Sequence, residues 1–311
     1  MMDYSQLKVQ LQQDGFVVIK NLLTSDEVEH YITRMEALSG FAYDHDEKSR
    51  GGMGKRGLDQ SWSLPDGVTK MRDFWPLITD ERLVTAVSQL LNPNIKFLQH
   101  TDLHVGFSAI SWHRDNVCRT FGKGPDWDER QESYQLVRVA IYLQTYAESH
   151  FRLGFIPGSH RPPTGKVTWQ QKLKEAKLNS LGALSYLSIR FQEKAANATW
   201  IATEPGDCLI FDPRAIHSGS YIIGPKYSMF LAYGVENSHF SNHQNYYRYV
   251  RPELNYQAPE PELVERLRAA NLYPEHVIST DQIEDAWVPP ALMRKLVAQK
   301  QEEAAERVAQ M

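Results

Sequence analysis

Residues 111–116 read SWHRDN, a histidine and an aspartate two positions apart with an arginine between them. Read as strand, the stretch sends His113 and Asp115 to one face and Arg114 to the other, because successive strand side chains alternate. An imidazole and a carboxylate on a buried strand need compensation, which means a metal, a salt bridge or solvent. Together they could fill two adjacent positions of a divalent cation, and a third donor would have to come from a later strand. His217 is the candidate. It closes the run GDCLIFDPRAIHSG at 206–219, where Pro205-Gly206-Asp207 is a turn opening a buried strand, and Ser218-Gly219-Ser220 follows the histidine where a barrel mouth would lie. Two histidines and one carboxylate leave three open positions on one octahedral face. A structural zinc site would instead be closed by four protein ligands, often cysteines.

The chain around these stretches has the texture of a mainly β domain with flanking helices. Segments 95–112, 134–146, 150–156, 207–212 and 227–236 are short, apolar or alternating, and separated by turn residues, which predicts a barrel or sandwich. Residues 4–13 and a stretch from Thr24 or Ser25 read as helices flanking a short strand, FVVI at 16–19. Residues 74–91 read as a further helix ending at Asn92-Pro93. The expected organisation is one domain over 1–311: an N-terminal helical and strand region (1–94), a β core (95–240) with a helical insert at about 166–198, and a C-terminal helical extension (241–311). The polar stretches 119–133 and 40–72 read either as lids or as plain surface loops. GGMGKRG at 51–57 lacks the GxGxxG spacing of a phosphate loop and reads as a flexible loop.

Composition narrows the function classes. Among 311 residues, 42% are hydrophobic and 23% charged, and the net charge is −4, from 34 Lys+Arg against 38 Asp+Glu. This is a globular composition with no basic excess for nucleic acid and no basic tract for an anionic membrane. The two cysteines, Cys118 and Cys208, make neither a disulfide framework nor a CxxC pair. With no apolar signal core at the N-terminus and no membrane-length apolar run, a cytoplasmic location is expected. The oligomeric state, monomer or dimer, is left open.

Four stretches carry a resemblance to the phytanoyl-CoA dioxygenase family of iron(II)- and 2-oxoglutarate-dependent oxygenases. They are DGFVVIKNLLTSDEV (14–28), SWHRD (111–115), FIPGSHR (155–161) and GDCLIFDPRAIHSG (206–219), in the family's order. The resemblance implies a double-stranded β-helix, a distorted, cupin-like jelly roll with helices outside one sheet. It implies His113, Asp115 and His217 as iron ligands, with Fe(II) as the metal and 2-oxoglutarate and O2 as cosubstrates. It gives His160 no ligand role and leaves it structural. Where the family carries an arginine for 2-oxoglutarate, this chain has Ser228. Lys226 in GPKYSMFLAYG is therefore assigned to the cosubstrate's distal carboxylate, with Arg138 and Arg152 as alternatives and Gln99 as a further contact. A lysine supplies a point charge there, though not a bidentate fork. Arg214 pairs with Asp212 or reaches an anionic substrate. His100 and His104, and the aromatics Tyr134, Tyr142, Trp62, Trp112 and Trp127, are read as core or pocket wall.

The activity implied is oxidation of a C–H bond in a small metabolite or natural-product intermediate, with release of succinate and CO2. The presence of Asp115 favours hydroxylation or desaturation over halogenation, which needs that position free. Two alternatives stay open on the residues alone: a cupin-like metal-dependent hydrolase or isomerase that uses no 2-oxoglutarate, and a non-catalytic small-molecule-binding jelly roll.

Overall fold

Strand β4 (Leu136–Tyr142) is buried along its whole length, and its alternation sets the architecture. Val137, Val139 and Ile141 point to a layer of helices, whereas Ala140 and Tyr142 point to the interior between two sheets. The computed structural model describes residues 3–40, 61–109, 111–184, 197–251 and 254–276. Within them, β4 sits near the middle of a six-stranded antiparallel sheet. Its order is β1 (Phe16–Ile19), β7 (Cys208–Phe211), β4, β9 (Tyr227–Val235), β3 (Ile95–Val105) and β2 (Trp62–Pro65). The other strands obey the same rule: Val17, Ile19, Cys208, Ile210, Met229 and Leu231 meet the helices, and Phe16, Leu209 and Phe211 meet the interior. A second sheet, in the order β6 (Thr199–Ala202), β5 (Arg152–Phe155), β8 (His217–Gly219), closes that interior with Phe151, Leu153 and Phe155. This is the expected double-stranded β-helix. The six-stranded sheet takes β1 and β2 from outside the 95–240 segment expected to hold the core.

The helices form where local chemistry stops and starts them. Helix α1 (Tyr4–Asp14) begins at Asp3, whose carboxylate accepts from the amides of Ser5 and Gln6. Helix α2 (Ser25–Ser39) begins at a capping box of Thr24 and Glu27. The helix expected over 74–91 is divided. A single turn at Trp75–Ile78 ends, and α3 (Glu81–Leu90) restarts because the Asp80 carboxylate accepts from the amides of Arg82 and Leu83. The insert carries α4 (Trp169–Leu184), and α5 (Ser238–Asn245) runs on into a π-turn at Tyr246–Val250. Of the helical tail, α6 (Pro261–Ala269) is present; residues 277–311, the GGMGKRG loop and part of the insert lie outside the described residues. Among the described residues, no helix is long and apolar enough to cross a membrane.

Two local features decide where the site falls. SWHRDN is not a strand: it makes one isolated bridge, in which His113 and His217 exchange both backbone hydrogen bonds at 3.0 Å. Nor does His217 close β7. Pro213 follows that strand and cannot extend its ladder, so the chain turns and His217 opens β8 in the other sheet, opposite Phe155. The turn before β7 is equally constrained. Gly206 has φ +79°, its amide donates to the Tyr142 carbonyl at 2.9 Å, and a Cβ there would lie 2.6 Å from the Leu23 carbonyl oxygen. Gly206→Ala is expected to destabilise the fold by about 2 kcal/mol through strain and clash. Chemical denaturation checks this; an unchanged midpoint would show that the turn relaxes freely.

Candidate active site

Three side chains from two separate segments converge at the junction of the sheets. Donor atoms of His113, Asp115 and His217 all lie within 4.8 Å of one another. His113 Nε2 is 3.7 Å from Asp115 Oδ1, and His217 Nε2 is 3.6 Å from Asp115 Oδ2. Backbone contacts hold the arrangement. Beyond the His113–His217 bridge, the amides of Asp115 and Asn116 donate to the Pro213 carbonyl at 2.8 and 3.1 Å. Ser159, in the FIPGSHR turn, accepts from the Ile216 amide at 2.8 Å and so fixes the residue before His217. His160 in the same turn contacts the Gln12 carbonyl at 3.2 Å, a structural role.

Each imidazole is set in one tautomer. Nδ1 of His113 lies 2.6 Å from the Ser111 carbonyl and Nδ1 of His217 lies 3.0 Å from the Ala215 carbonyl. A carbonyl oxygen only accepts, so both protons sit on Nδ1 and both Nε2 lone pairs face Asp115. Burial and the neighbouring His113 push His217 down to about 4, so it stays neutral. Burial alone would raise the Asp115 carboxyl; the positive charge around it, the Arg138 guanidinium included, outweighs burial and holds the group below the usual carboxylate range. Two imidazoles and one carboxylate, aimed at one point with no fourth acidic, histidine or cysteine donor grouped with them among the described residues, fit a divalent metal with an open face.

The cations around this point divide by what neutralises them. Arg138 projects inward from β4; its Nη2 is 2.9 Å from Asp102 and its Nε 3.4 Å from Asp115, and Nη1 donates to the His100 carbonyl. Its charge is taken by two carboxylates, one of them the triad's. Gln99 is also engaged: Nε2 donates to Asp66 at 2.8 Å and to the Gln257 carbonyl at 2.7 Å, while Oε1 accepts from Arg248 at 3.1 Å. Arg214 pairs with Asp212 at 2.9 Å and with Glu129, and stacks over Tyr134 at 4.0 Å. Arg152 lies over Tyr146 and Trp200. Lys226 differs. It is 3% exposed, its Nζ donates to Ser228 at 2.9 Å and sits over Phe151 at 4.6 Å, and no ion pair joins it to a carboxylate among the described residues. Burial pushes its ammonium down to about 7.

Three components of the surroundings were not legible in the sequence. His100 meets His243 of α5 at 2.9 Å and stacks on Tyr247 of the π-turn with centroids 3.8 Å apart. Tyr247 in turn donates to the Asp115 carbonyl at 3.3 Å. A cleft of about 270 Å³, lined by Trp112, His113, Arg119, Phe121, Glu175 and Ile216 among others, opens beside the triad. One wall of it is α4, fastened by a bidentate pair from Arg114 to Glu175 at 2.6 and 2.8 Å. Of the two stretches read as lid or surface loop, 119–133 supplies Arg119 and Phe121 to this cleft; of 40–72, residues 41–60 lie outside the described residues and the remainder holds β2 and a helical turn at Gly67–Lys70. Among the aromatics read as pocket or core, Trp112 lines the cleft, Tyr142 faces the interior, and Trp127 packs in a small core with Cys118.

Residues 11–227 match the phytanoyl-CoA dioxygenase (PhyH) family. The chain belongs to that family. This PhyH protein is an iron- and 2-oxoglutarate-dependent dioxygenase, using Fe(II), 2-oxoglutarate and O2. It is 26% identical over 252 residues to the ectoine dioxygenase of Streptomyces coelicolor, covering 73% of this chain and 77% of the relative. Its fold is similar to that of HygX from Streptomyces hygroscopicus with nickel and 2-oxoglutarate bound (TM-score 0.52, 17% identity, 76% and 88% of the two chains). It is also similar to EctD from S. alaskensis in its apoform (TM-score 0.50, 18% identity, 74% and 76%).

The Arg114–Glu175 pair gives the PhyH insert a measurable role. Arg114 is nearly buried, so loss of its partner leaves a charge without compensation. In Glu175→Gln, backbone amides of residues 169–176 are expected to exchange with solvent about ten-fold faster, with β4 and β9 unchanged. Hydrogen exchange read by mass spectrometry checks this, and identical protection in the insert would show that other contacts hold it.

Proposed function

We propose that His113, Asp115 and His217 bind the iron of this PhyH dioxygenase. In the same reading, Lys226 with Ser228 receives the distal carboxylate of 2-oxoglutarate, and the enzyme hydroxylates a C–H bond of a small molecule lying in the cleft beside His113. The observation that carries this is the pairing of a three-donor, open-faced site with a buried lysine that has no carboxylate partner among the described residues. In support, Lys226 lies over Tyr142 and Phe151, members of the interior cluster whose Phe155 and Phe211 pack against the His217 ring. The ectoine dioxygenase relative and the HygX structure offer precedents for a small substrate and for 2-oxoglutarate beside a metal.

Bound iron with 2-oxoglutarate and O2 supplies the oxidising power that C–H cleavage requires. The chain supplies placement. The Ser111 and Ala215 carbonyls keep both Nε2 lone pairs directed at the metal position, and Arg138 keeps Asp115 ionised and aligned. Tyr142, Phe151 and Phe155 exclude water from the cosubstrate end, so the Lys226 ammonium meets a carboxylate in low dielectric, where a charge-assisted contact is strong. Asp115 fills the position that a halide would need, which favours hydroxylation.

Exposure fixes the direction of approach. The side chains of His113, Asp115 and His217 are 29%, 17% and 6% exposed, so the triad is reached from the His113 side.

His217→Ala is expected to abolish stoichiometric binding of Co(II), followed by absorption titration; retained binding would remove His217 from the ligand set. Lys226→Ala is expected to weaken 2-oxoglutarate binding by about ten- to a hundred-fold while sparing metal affinity. The check is anaerobic titration of the visible band of the Fe(II)–2-oxoglutarate complex. Unchanged cosubstrate affinity would move the role to another cation such as Arg152. The pH dependence has a definite sign. The ammonium form binds the anion, and burial holds Lys226 at about 7. Affinity for 2-oxoglutarate should therefore be full below that pH and fall by up to about ten-fold per unit above it. Lys226→Arg should flatten this profile, because a guanidinium stays charged.

A further inference from the structure

The cleft beside His113 carries a second cation that the cosubstrate does not use. Arg119 lies at its rim and reaches solvent, four residues beyond Asp115. Its neighbours are the Tyr247 hydroxyl, with which it hydrogen-bonds, and Tyr246; no ion pair joins it to a carboxylate among the described residues. The other charges in the cleft wall are already satisfied: Arg114 and Glu175 neutralise each other through two short contacts. The wall that faces an incoming molecule is therefore apolar at Trp112, Phe121 and Ile216, with one guanidinium, Arg119, that feels the Asp115 carboxylate but makes no ion pair with a carboxylate among the described residues.

Arg119 and Lys226 are distinct in surroundings. Lys226 sits among Tyr142, Phe151 and Ser228 in the closed interior, whereas Arg119 sits with the π-turn tyrosines at the accessible side. The π-turn matters to the geometry. Tyr247 contacts the Asp115 carbonyl at 3.3 Å and stacks on His100, so the phenol that holds Arg119 is itself tied to the segment carrying the triad. A planar guanidinium fork, held by a phenol beside an apolar wall, is matched to a carboxylate.

On the oxygenase reading above, we infer that Arg119 is the specificity-determining residue for an anionic substrate, and that the enzyme takes an amphiphilic small-molecule carboxylate whose apolar part lies against Trp112, Phe121 and Ile216. The carboxylate docks on Arg119 and the C–H bond to be oxidised is thereby presented past His113.

The test uses the full-length protein under anaerobic conditions with Fe(II) and saturating 2-oxoglutarate, following the visible band as probes are added. The probes are hexanoate, phenylacetate and N-acetyl-leucine, each beside its primary amide. Carboxylates are expected to perturb the band and to bind about ten-fold more tightly than their amides. Arg119→Gln should erase that preference, Arg119→Lys should keep part of it, and both should form the same band as the parent before probes are added. If acids bind no better than amides, or if Arg119→Gln holds the acids as the parent does, the inference is overturned. Failure of the parent to form the band at all would instead overturn the oxygenase reading on which it rests.

Discussion

Two backbone hydrogen bonds between His113 and His217 are the constraint on which the site depends. They join segments that are far apart in sequence and belong to different parts of the fold, a loop leaving the large sheet and the first residue of a strand in the small one. Once these two residues are paired, their side chains are neighbours, with ring centroids 4.3 Å apart. The Pro213 carbonyl then gathers the Asp115 and Asn116 amides, which turns the carboxylate toward both rings. Paired donors of this kind are costly to leave unmet in a buried loop, so the triad's geometry is fixed by the main chain before any metal arrives.

The interior face of the large sheet carries charge on that frame, and each charge is handled differently. Arg138 is compensated inside the protein by Asp102 and Asp115, which makes it part of the support of the proposed ligand set. Lys226 is left to a hydroxyl and two aromatic faces. A buried ammonium without a counterion is an unstable arrangement unless it can lose its proton or acquire an anion. The same distinction separates Arg114, closed by Glu175, from Arg119, which is open to the cleft.

Much of this was readable from the residues. FVVI at 16–19, the Thr24 cap and the strands on either side of the insert appear where composition and turn residues put them, because short-range chemistry decides them. The HxD pair and the later histidine also converge as read, but by another route. An i, i+2 alternation suggested a strand, whereas one bridge and the Pro213 carbonyl give the same result, and a partner so distant leaves no local mark. The helix over 74–91 is divided because Asp80 caps a new start inside a continuous apolar period; pattern alone ran through it. Arg138 was visible as a charge in an apolar strand, yet nothing local named its anions. β3 shows the same limit: between its pairings Leu98–Ala232 and Asp102–Phe230 the ladder slips, so His100 and His104 meet different neighbours, His243 and Phe230. The proximity of Arg119, Tyr247 and Glu175 to the triad is purely tertiary, and no spacing encodes it.

The tie from Arg114 to the insert has a mechanical consequence. Arg114 is bonded through single peptide units to the residues on either side of it, His113 and Asp115, and its guanidinium is clasped by α4. Swinging that helix outward while the clasp holds would drag on the short loop bearing two of the three convergent side chains. The width of the entrance and the firmness of the grip within therefore share one degree of freedom.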